Sequence, residues 1–165
     1  MMLLLKNLLF TVLVPGTVAV YVPLRISLGR PSATGAAALL AVVVLAAGAT
    51  IYLWCLWDFA TFGRGTPAPI DAPRKLVVRG LYRYARNPMY VGVLTVILGW
   101  LLCFPARDLA TYTIVVAVGF HLFVVLYEEP ALTFQFGESY RVYRRVVPRW
   151  GFTTRPFQEG TGSTA

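Results

Sequence analysis

Four long stretches of the 165-residue chain carry no charged side chain, and they predict its architecture. These apolar runs are Asn7–Leu24, Pro31–Trp57, Pro88–Ala106 and Leu109–Tyr127, the last of which contains the single histidine, His121. About 20 consecutive apolar residues cross the hydrocarbon core of a bilayer as a helix. Because no water is present there to bind backbone groups, such runs must be helical. The pattern predicts an all-α polytopic membrane protein with four transmembrane helices. The first run can alternatively be interpreted as a cleaved signal peptide.

A different periodicity follows the fourth run, where apolar residues recur at intervals of three or four. They are Leu132, Phe136, Tyr140, Tyr143 and Val147. This spacing predicts a C-terminal amphipathic interfacial helix that ends at Pro148. The short link between the last two runs predicts an antiparallel helical hairpin. We therefore expect a single domain over residues 1–157, followed by a small polar tail over residues 158–165 that is flexible.

Composition narrows the class of protein further. Hydrophobic residues make up 58% of the chain and charged residues 13%, against about 25% charged in ordinary soluble domains. A soluble globule and a disordered chain are both excluded. One histidine and two cysteines do not suffice for a four-cysteine or two-cysteine, two-histidine zinc site, so we predict no structural zinc site of these kinds and no disulfide scaffold.

The basic residues are distributed unevenly between the loops. With four spans, all of the 15 basic residues except Arg25, Arg30 and Arg107 fall on one side of the membrane. The positive-inside rule then predicts an integral inner-membrane protein with both termini and the segment Asp58–Asn87 in the cytoplasm. Topology and anionic lipid headgroups account for the net charge of +8, so no nucleic-acid partner is needed.

The first segment with unusual chemistry lies between the second and third runs. Prolines and glycines punctuate Asp58–Pro73, which carries two acidic residues, Asp58 and Asp71. Such a segment is a substrate gate or a stiff spacer. Downstream, Arg79, Arg83 and Arg86 follow an i, i+4, i+7 spacing that predicts one helix face. That face binds lipid phosphates or a ligand carboxylate, or it forms an interfacial arginine band.

The second such segment is at the end of the fourth run. Glu128 and Glu129 lie at the expected membrane boundary, and His121 precedes Glu128 by seven residues, which predicts one shared helix face. Ionisable residues near a span are candidates for function. The alternatives are an inter-helix hydrogen bond for His121 and a salt bridge to the arginine segment for Glu128.

Taken in order, these motifs resemble a known superfamily. The matching residues are Arg86-Asn87-Pro88-Met89-Tyr90-x-Gly92, a hydrophobic hairpin, Glu128-Glu129, and Phe136-Gly137-Glu138-x-Tyr140-x-x-Tyr143-x-x-x-Val147-Pro148. They resemble the isoprenylcysteine carboxyl methyltransferase and phospholipid methyltransferase superfamily of integral membrane enzymes. The resemblance extends over roughly Leu76–Pro148 and implies S-adenosylmethionine as cofactor.

The resemblance also implies roles for individual residues. The cofactor contacts would be Leu76, Val77, Tyr82, Arg86, Asn87, Pro88, Met89, Tyr90 and Glu128. The candidates for substrate binding are Arg79, Arg83, His121, Tyr140 and Tyr143. The candidates for a catalytic base are Asp58, Asp71 and Glu129, which the sequence does not rank.

Two departures from the superfamily pattern bear on the acceptor. Asn87 replaces a frequent histidine, and Val124 occupies the position at which the carboxyl methyltransferases have a substrate-directing arginine. A buried carboxylate without a cation is costly, so we expect methylation of an amine, as in a phospholipid headgroup, or of a thiol. The substrate would be a membrane lipid or a lipophilic small molecule. Carboxyl methylation of a prenylcysteine-like acceptor and a non-enzymatic structural or binding role are the alternatives. The acceptor's identity and the oligomeric state stay open.

Overall fold

The computed structural model describes residues 9–63 and 76–158, and these residues form helices and irregular segments with no β-strand among them. The main helices are α1 (Leu9–Ser27), α2 (Gly35–Asp58), α3 (Pro88–Cys103), α4 (Arg107–Phe123) and α5 (Glu129–Val146). A π-helical turn, Val124–Glu128, joins α4 to α5, and a second, Phe59–Gly63, extends α2. A short 3-10 helix, Gly80–Arg83, precedes α3.

The helix lengths bear on the expected number of membrane spans. Within the described residues, three helical stretches are long and apolar enough to cross a membrane, namely Leu9–Ser27, Gly35–Phe62 and Arg107–Val146. The α3 helix has 16 residues and is about 24 Å long, against a bilayer core of about 30 Å. Its end at Cys103 is explained by Pro105, which disfavours helical backbone at Phe104. The chain is thus a membrane protein, and the four-span topology stays a prediction.

Helices α2 and α3 pack against each other at backbone distance through glycines. A Cβ atom on Gly48 would lie 2.6 Å from the Val96 amide nitrogen, and one on Gly92 would lie 2.9 Å from the Tyr52 amide nitrogen. Small residues allow such close approach, which is how apolar helices associate where lipid removes the hydrophobic driving force. The contact holds the start of α3 beside the second half of α2.

The C-terminal helix α5 follows α4 without an intervening loop, because the π-helical turn joins the two. The backbone leaves helical geometry at Gly137, with φ 53° and ψ −124°. The predicted apolar face does pack together: Tyr140, Tyr143 and Val147 are buried, and Leu132 and Phe136 pack against them. The position of this helix at the membrane interface stays a prediction.

An irregular segment after α5 folds back along the residues that precede α3. The Arg86 amide donates to the Pro148 carbonyl at 2.9 Å, and the Thr153 amide donates to the Tyr84 carbonyl at 2.9 Å. The Phe157 amide donates to the Arg83 carbonyl at 3.0 Å. These bonds hold the C-terminal segment against residues 83–86. Of the tail expected to be flexible, residues 159–165 lie outside the described residues.

Candidate active site

A cavity lies where α1, α2, the start of α3 and the end of α4 meet. Aromatic and aliphatic side chains make up most of its wall, among them Phe10, Tyr52, Phe59 and Phe120. Six of the nine residues expected to contact a cofactor also line it: Tyr82, Arg86, Asn87, Met89, Tyr90 and Glu128. Residues separated by more than 40 positions in the sequence are thereby brought together around one space.

Glu128 is held at this cavity by a hydroxyl group. The Tyr90 hydroxyl donates to Glu128 Oε2 at 2.9 Å, and the Tyr90 ring lies 4.8 Å from the Phe120 ring, measured between centroids. Tyr82 adds a second phenol, and burial raises the pKa of its hydroxyl well above its ordinary value, so it stays protonated. The cavity thus combines a carboxylate with neutral aromatic faces.

The π-helical turn explains why Glu128 faces the cavity and His121 does not. A π-turn bonds i to i+5, and the extra residue rotates the following side chains by about 100° relative to an α-helix. His121 is exposed, and its Nδ1 accepts a hydrogen bond from Trp150 Nε1 at 3.0 Å. The predicted face shared by His121 and Glu128 is therefore wrong, because that prediction assumed unbroken α-helix.

Arginine side chains donate hydrogen bonds to both carboxylate oxygens of Glu129, the next residue. Arg86 Nη1 donates to Oε1 at 2.8 Å, and Arg149 donates to Oε1 at 2.6 Å and to Oε2 at 3.0 Å. Arg144 Nη1 lies 3.9 Å from Oε2. The hydrogen bond to Glu129 raises the pKa of Arg149. A carboxylate held by several cations is a weak base, so the geometry favours a positioning role for Glu129.

Arg86 connects this ion-pair cluster to the cavity. Its Nη1 also lies 3.4 Å from the Tyr140 hydroxyl, yet its Nε is buried and has no hydrogen-bond partner within the described residues. A buried N–H of a cation that lacks an acceptor is costly. Arg86 is also one of the residues that line the cavity.

The three arginines expected on one helix face have separate partners. Arg79 has extended backbone, and its guanidinium carbon lies 3.6 Å from the centroid of the Phe62 ring. Arg83 Nε donates to the Phe157 carbonyl at 2.9 Å, whereas Arg86 binds Glu129. The predicted common face is wrong because Gly80, at φ 53°, breaks the backbone and only a four-residue 3-10 helix forms.

Several other expected site residues lie outside the wall of the cavity. Tyr140 and Tyr143 are buried in the core of the C-terminal segment, and the Tyr143 hydroxyl donates to the Tyr82 carbonyl at 2.6 Å. Leu76 packs on that same core, and Val77 packs beside Cys55 and Tyr82. Pro88 is the first residue of α3. These residues support the position of Tyr82 and the start of α3.

Asp58, one of the two aspartates expected as bases, is buried beside Gly80. Asp58 is 4% exposed, and its Oδ2 has no hydrogen-bond partner in the described part of the chain. It lies against Gly80, where an added Cβ atom would overlap Oδ2. Asp58 does not line the cavity. Asp71 lies outside the described residues.

Sequence reasoning missed the role of Arg149 and the aromatic wall. Arg149 binds a carboxylate 20 residues earlier, and Asn87 Nδ2 donates to the Arg149 carbonyl at 3.1 Å. The only sequence signal was Pro148, which ends the helix and allows the chain to fold back. Of the wall aromatics that were not predicted, Phe10, Tyr52 and Phe120 lie within apolar runs and Phe59 lies just after one, and they have no distinguishing spacing.

An apolar helical bundle with a largely apolar cavity that also contains Glu128 and Arg86 defines a membrane protein with an internal ligand site. The family model described as phospholipid methyltransferase matches residues 36–139, which is more than half of the chain. The chain therefore belongs to the phospholipid methyltransferase family and is a membrane methyltransferase, which confirms the resemblance read from its motifs. No curated protein and no solved structure matches it significantly.

Proposed function

We propose that this protein transfers a methyl group from S-adenosylmethionine to an amine or thiol of a lipophilic acceptor at the cytoplasmic face of the membrane. Family membership supports methyl transfer and lipid substrates in general terms. The observation that carries the cofactor assignment is that an acidic and a basic side chain line one cavity. Glu128 supplies a carboxylate and Arg86 a guanidinium, and both residues line the cavity. The Arg86 Nε is buried and has no acceptor among the described residues.

The residue types fit the chemical groups of this cofactor. Its ammonium suits the Glu128 carboxylate, its carboxylate suits the Arg86 guanidinium, and its sulfonium and adenine suit aromatic faces such as Tyr82 and Tyr90. The cavity has a volume of about 90 Å³, less than the roughly 300–1,000 Å³ of pockets for drug-sized ligands. Binding of the whole cofactor therefore requires wall side chains to move.

The chain's own contribution would be positioning and exclusion of water. When bound, S-adenosylmethionine supplies a methyl group already activated by its sulfonium. Tyr90 holds Glu128, and Glu129 holds Arg86, so both ends of a zwitterionic amino-acid group would be fixed. Aligning reactants in this way lowers the entropic part of the barrier. The apolar wall of the cavity would keep water from the reacting atoms.

The acceptor class is argued from charge. Val124, at the position of the substrate-directing arginine in the carboxyl methyltransferases, is buried and 1% exposed, so it offers no cation to a carboxylate. A protonated amine must lose its proton before it attacks the methyl group. Asp58 and Asp71 are the candidates to accept that proton, and Asp58, which does not line the cavity, would have to turn toward it. An amine or thiol therefore fits better than a carboxylate.

The proposed topology has four spans across the inner membrane, with both termini in the cytoplasm. It rests on the uneven distribution of the basic residues between the two sides. Reporter fusions at Arg107 and at the C-terminus are expected to report opposite sides. The same side for both would mean that the helical stretch after Arg107 does not cross the membrane, which would refute the four-span topology.

Calorimetry with S-adenosylmethionine on the detergent-purified protein tests the cofactor site. We expect binding by the parent and at least about tenfold weaker binding by Glu128→Gln, since a charge-assisted hydrogen bond is lost. Glu138→Gln is the matched control, because Glu138 is an exposed carboxylate that does not line the cavity. Equal affinity for Glu128→Gln and the parent would remove Glu128 from the site. No binding by the parent would favour a structural or binding role.

A labelled-methyl assay with competing acceptors tests the reaction. Phosphatidylethanolamine, a lipophilic thiol and a prenylcysteine analogue are offered together, and stable N- or S-methyl products are expected. A base-labile methyl ester as the sole product would establish carboxyl methylation and refute the proposed acceptor class. That result would leave the methyltransferase assignment standing.

A further inference from the structure

A second concave surface lies on the outside of the α4–α5 stretch, away from the lining of the cavity. This outer groove has a volume of about 620 Å³. Its lining includes Pro130, Thr133, Phe134, Gly137, Arg141 and Arg144. The break in helical geometry at Gly137 turns the last part of α5, so that residues before and after it face the same space.

The two arginines of the outer groove have donors to spare. The Arg141 side chain is 58% exposed and lies 3.4 Å from Glu138, which is itself exposed. The Arg144 side chain is 50% exposed and lies 3.9 Å from Glu129. Exposed ion pairs at such distances contribute little. Both guanidiniums can therefore bind a phosphate without losing a strong contact.

Glu129 also lines the groove, but it adds little negative potential there. Its side chain is only 7% exposed, and Arg86 and Arg149 already bind its two oxygens. The local charge at the groove is thus positive, which is complementary to an anion.

Phe134 supplies the apolar part of the outer groove and indicates its depth in the membrane. It is 95% exposed, and the apolar residues Ile114, Val118 and Leu126 on the same helical stretch are exposed as well. The helical path from Arg107 to Phe134 is about 40 Å long. A bilayer with its headgroup regions is about 40–45 Å thick. Phe134 and the two arginines beyond it therefore fall at headgroup level.

We propose that the outer groove binds an anionic phospholipid at a site separate from the methyl-transfer cavity. The phosphodiester oxygens accept hydrogen bonds from Arg141 and Arg144, and an acyl chain runs along Phe134. The Arg86–Glu129 ion pair lies between this groove and the cavity, since Arg86 lines the cavity and Glu129 lines the groove. The site does not depend on the proposed methyl acceptor.

Native mass spectrometry and thermal unfolding of the delipidated protein in detergent test this site. The probes are dioctanoyl phosphatidylglycerol, dioctanoyl phosphatidylcholine and inorganic phosphate. We expect a retained adduct and a raised Tm with phosphatidylglycerol alone. Arg141→Gln with Arg144→Gln should weaken its binding about 25-fold, about fivefold for each arginine. Arg145→Gln is the matched control, because Arg145 is exposed on the same helix and does not line the groove.

Three outcomes would overturn the proposal. These are equal retention by the double variant and the parent, equal stabilisation by phosphatidylcholine, and equal stabilisation by inorganic phosphate. Phe134→Ala gives an independent measurement: it should weaken binding of long-chain phosphatidylglycerol while the lipid-free Tm stays that of the parent. Unchanged affinity for S-adenosylmethionine in these variants shows that the inner cavity is intact, so failure here is distinguishable from failure of the proposed function.

Discussion

Replacing Glu129 by glutamine separates a positioning role from a catalytic one. The substitution keeps the shape and one oxygen acceptor but removes the charge that faces Arg86 and Arg149. Breaking a fully buried ion pair costs about 3–5 kcal/mol, mainly because a buried charge is left unpaired. Here the Arg149 side chain is 32% exposed and is rehydrated, whereas Arg86, at 9%, is not.

Glu129→Gln should therefore lower the free energy of unfolding by less than the loss of a fully buried ion pair would. With one arginine left buried and one acceptor retained, we expect a loss of about 2–3 kcal/mol in the free energy of unfolding. For a chain of this size, that corresponds to a fall in Tm of about 5–10 °C. Because Arg86 also loses its anchor, the affinity for S-adenosylmethionine should fall with the stability.

Thermal unfolding followed by circular dichroism in detergent, together with labelled-methyl turnover, measures both effects. Glu138→Gln removes a carboxylate that is 64% exposed and lies 3.4 Å from Arg141, so its Tm should change by no more than about 1–2 °C. An unchanged Tm for Glu129→Gln would refute the positioning role. If turnover were lost while the Tm and the cofactor affinity stayed those of the parent, Glu129 would be a catalytic base.

Four further substitutions test helix packing, backbone strain and one exposed hydrogen bond. Gly92→Ala should lower the free energy of unfolding by about 1–3 kcal/mol, because the new methyl group would lie 2.9 Å from the Tyr52 amide nitrogen. Gly119→Ala is the control: no atom lies within 4 Å of its added Cβ, so it should be neutral or slightly stabilising. Thermal unfolding compares the two variants. Gly137→Ala should cost about 1–3 kcal/mol through backbone strain alone, since φ is 53° and nothing is close to the added Cβ; a Tm like that of the parent would contradict this conformation. His121→Ala removes an exposed hydrogen bond and should cost at most about 1 kcal/mol without weakening cofactor binding, and calorimetry showing weaker binding would place His121 in the site.

The sequence by itself determined which parts of the chain are apolar helix and which motifs carry the chemistry. Uncharged runs predict helices because lipid leaves the backbone no other way to bond, and the helices lie within or beside those runs. The spacing of Tyr140, Tyr143 and Val147 predicted a buried face that the structure contains. Motif order indicated the family, which the matching family model over residues 36–139 confirms. Six of the residues that it singled out for the cofactor line one cavity.

Only the tertiary structure decided which side chains share a site. A single π-turn rotated His121 away from Glu128. Gly80, at positive φ, separated Arg79 from Arg83, and the 3-10 helix that ends at Arg83 left Arg86 off the same face. Periodicity assumes a constant rotation per residue, so one local departure changes every face that follows it. The partnership of Glu129 with Arg86 and Arg149 joins positions 43 and 20 residues apart. Spacing carries no information about such pairs, because they form only when separate helices and a returning C-terminal segment pack together.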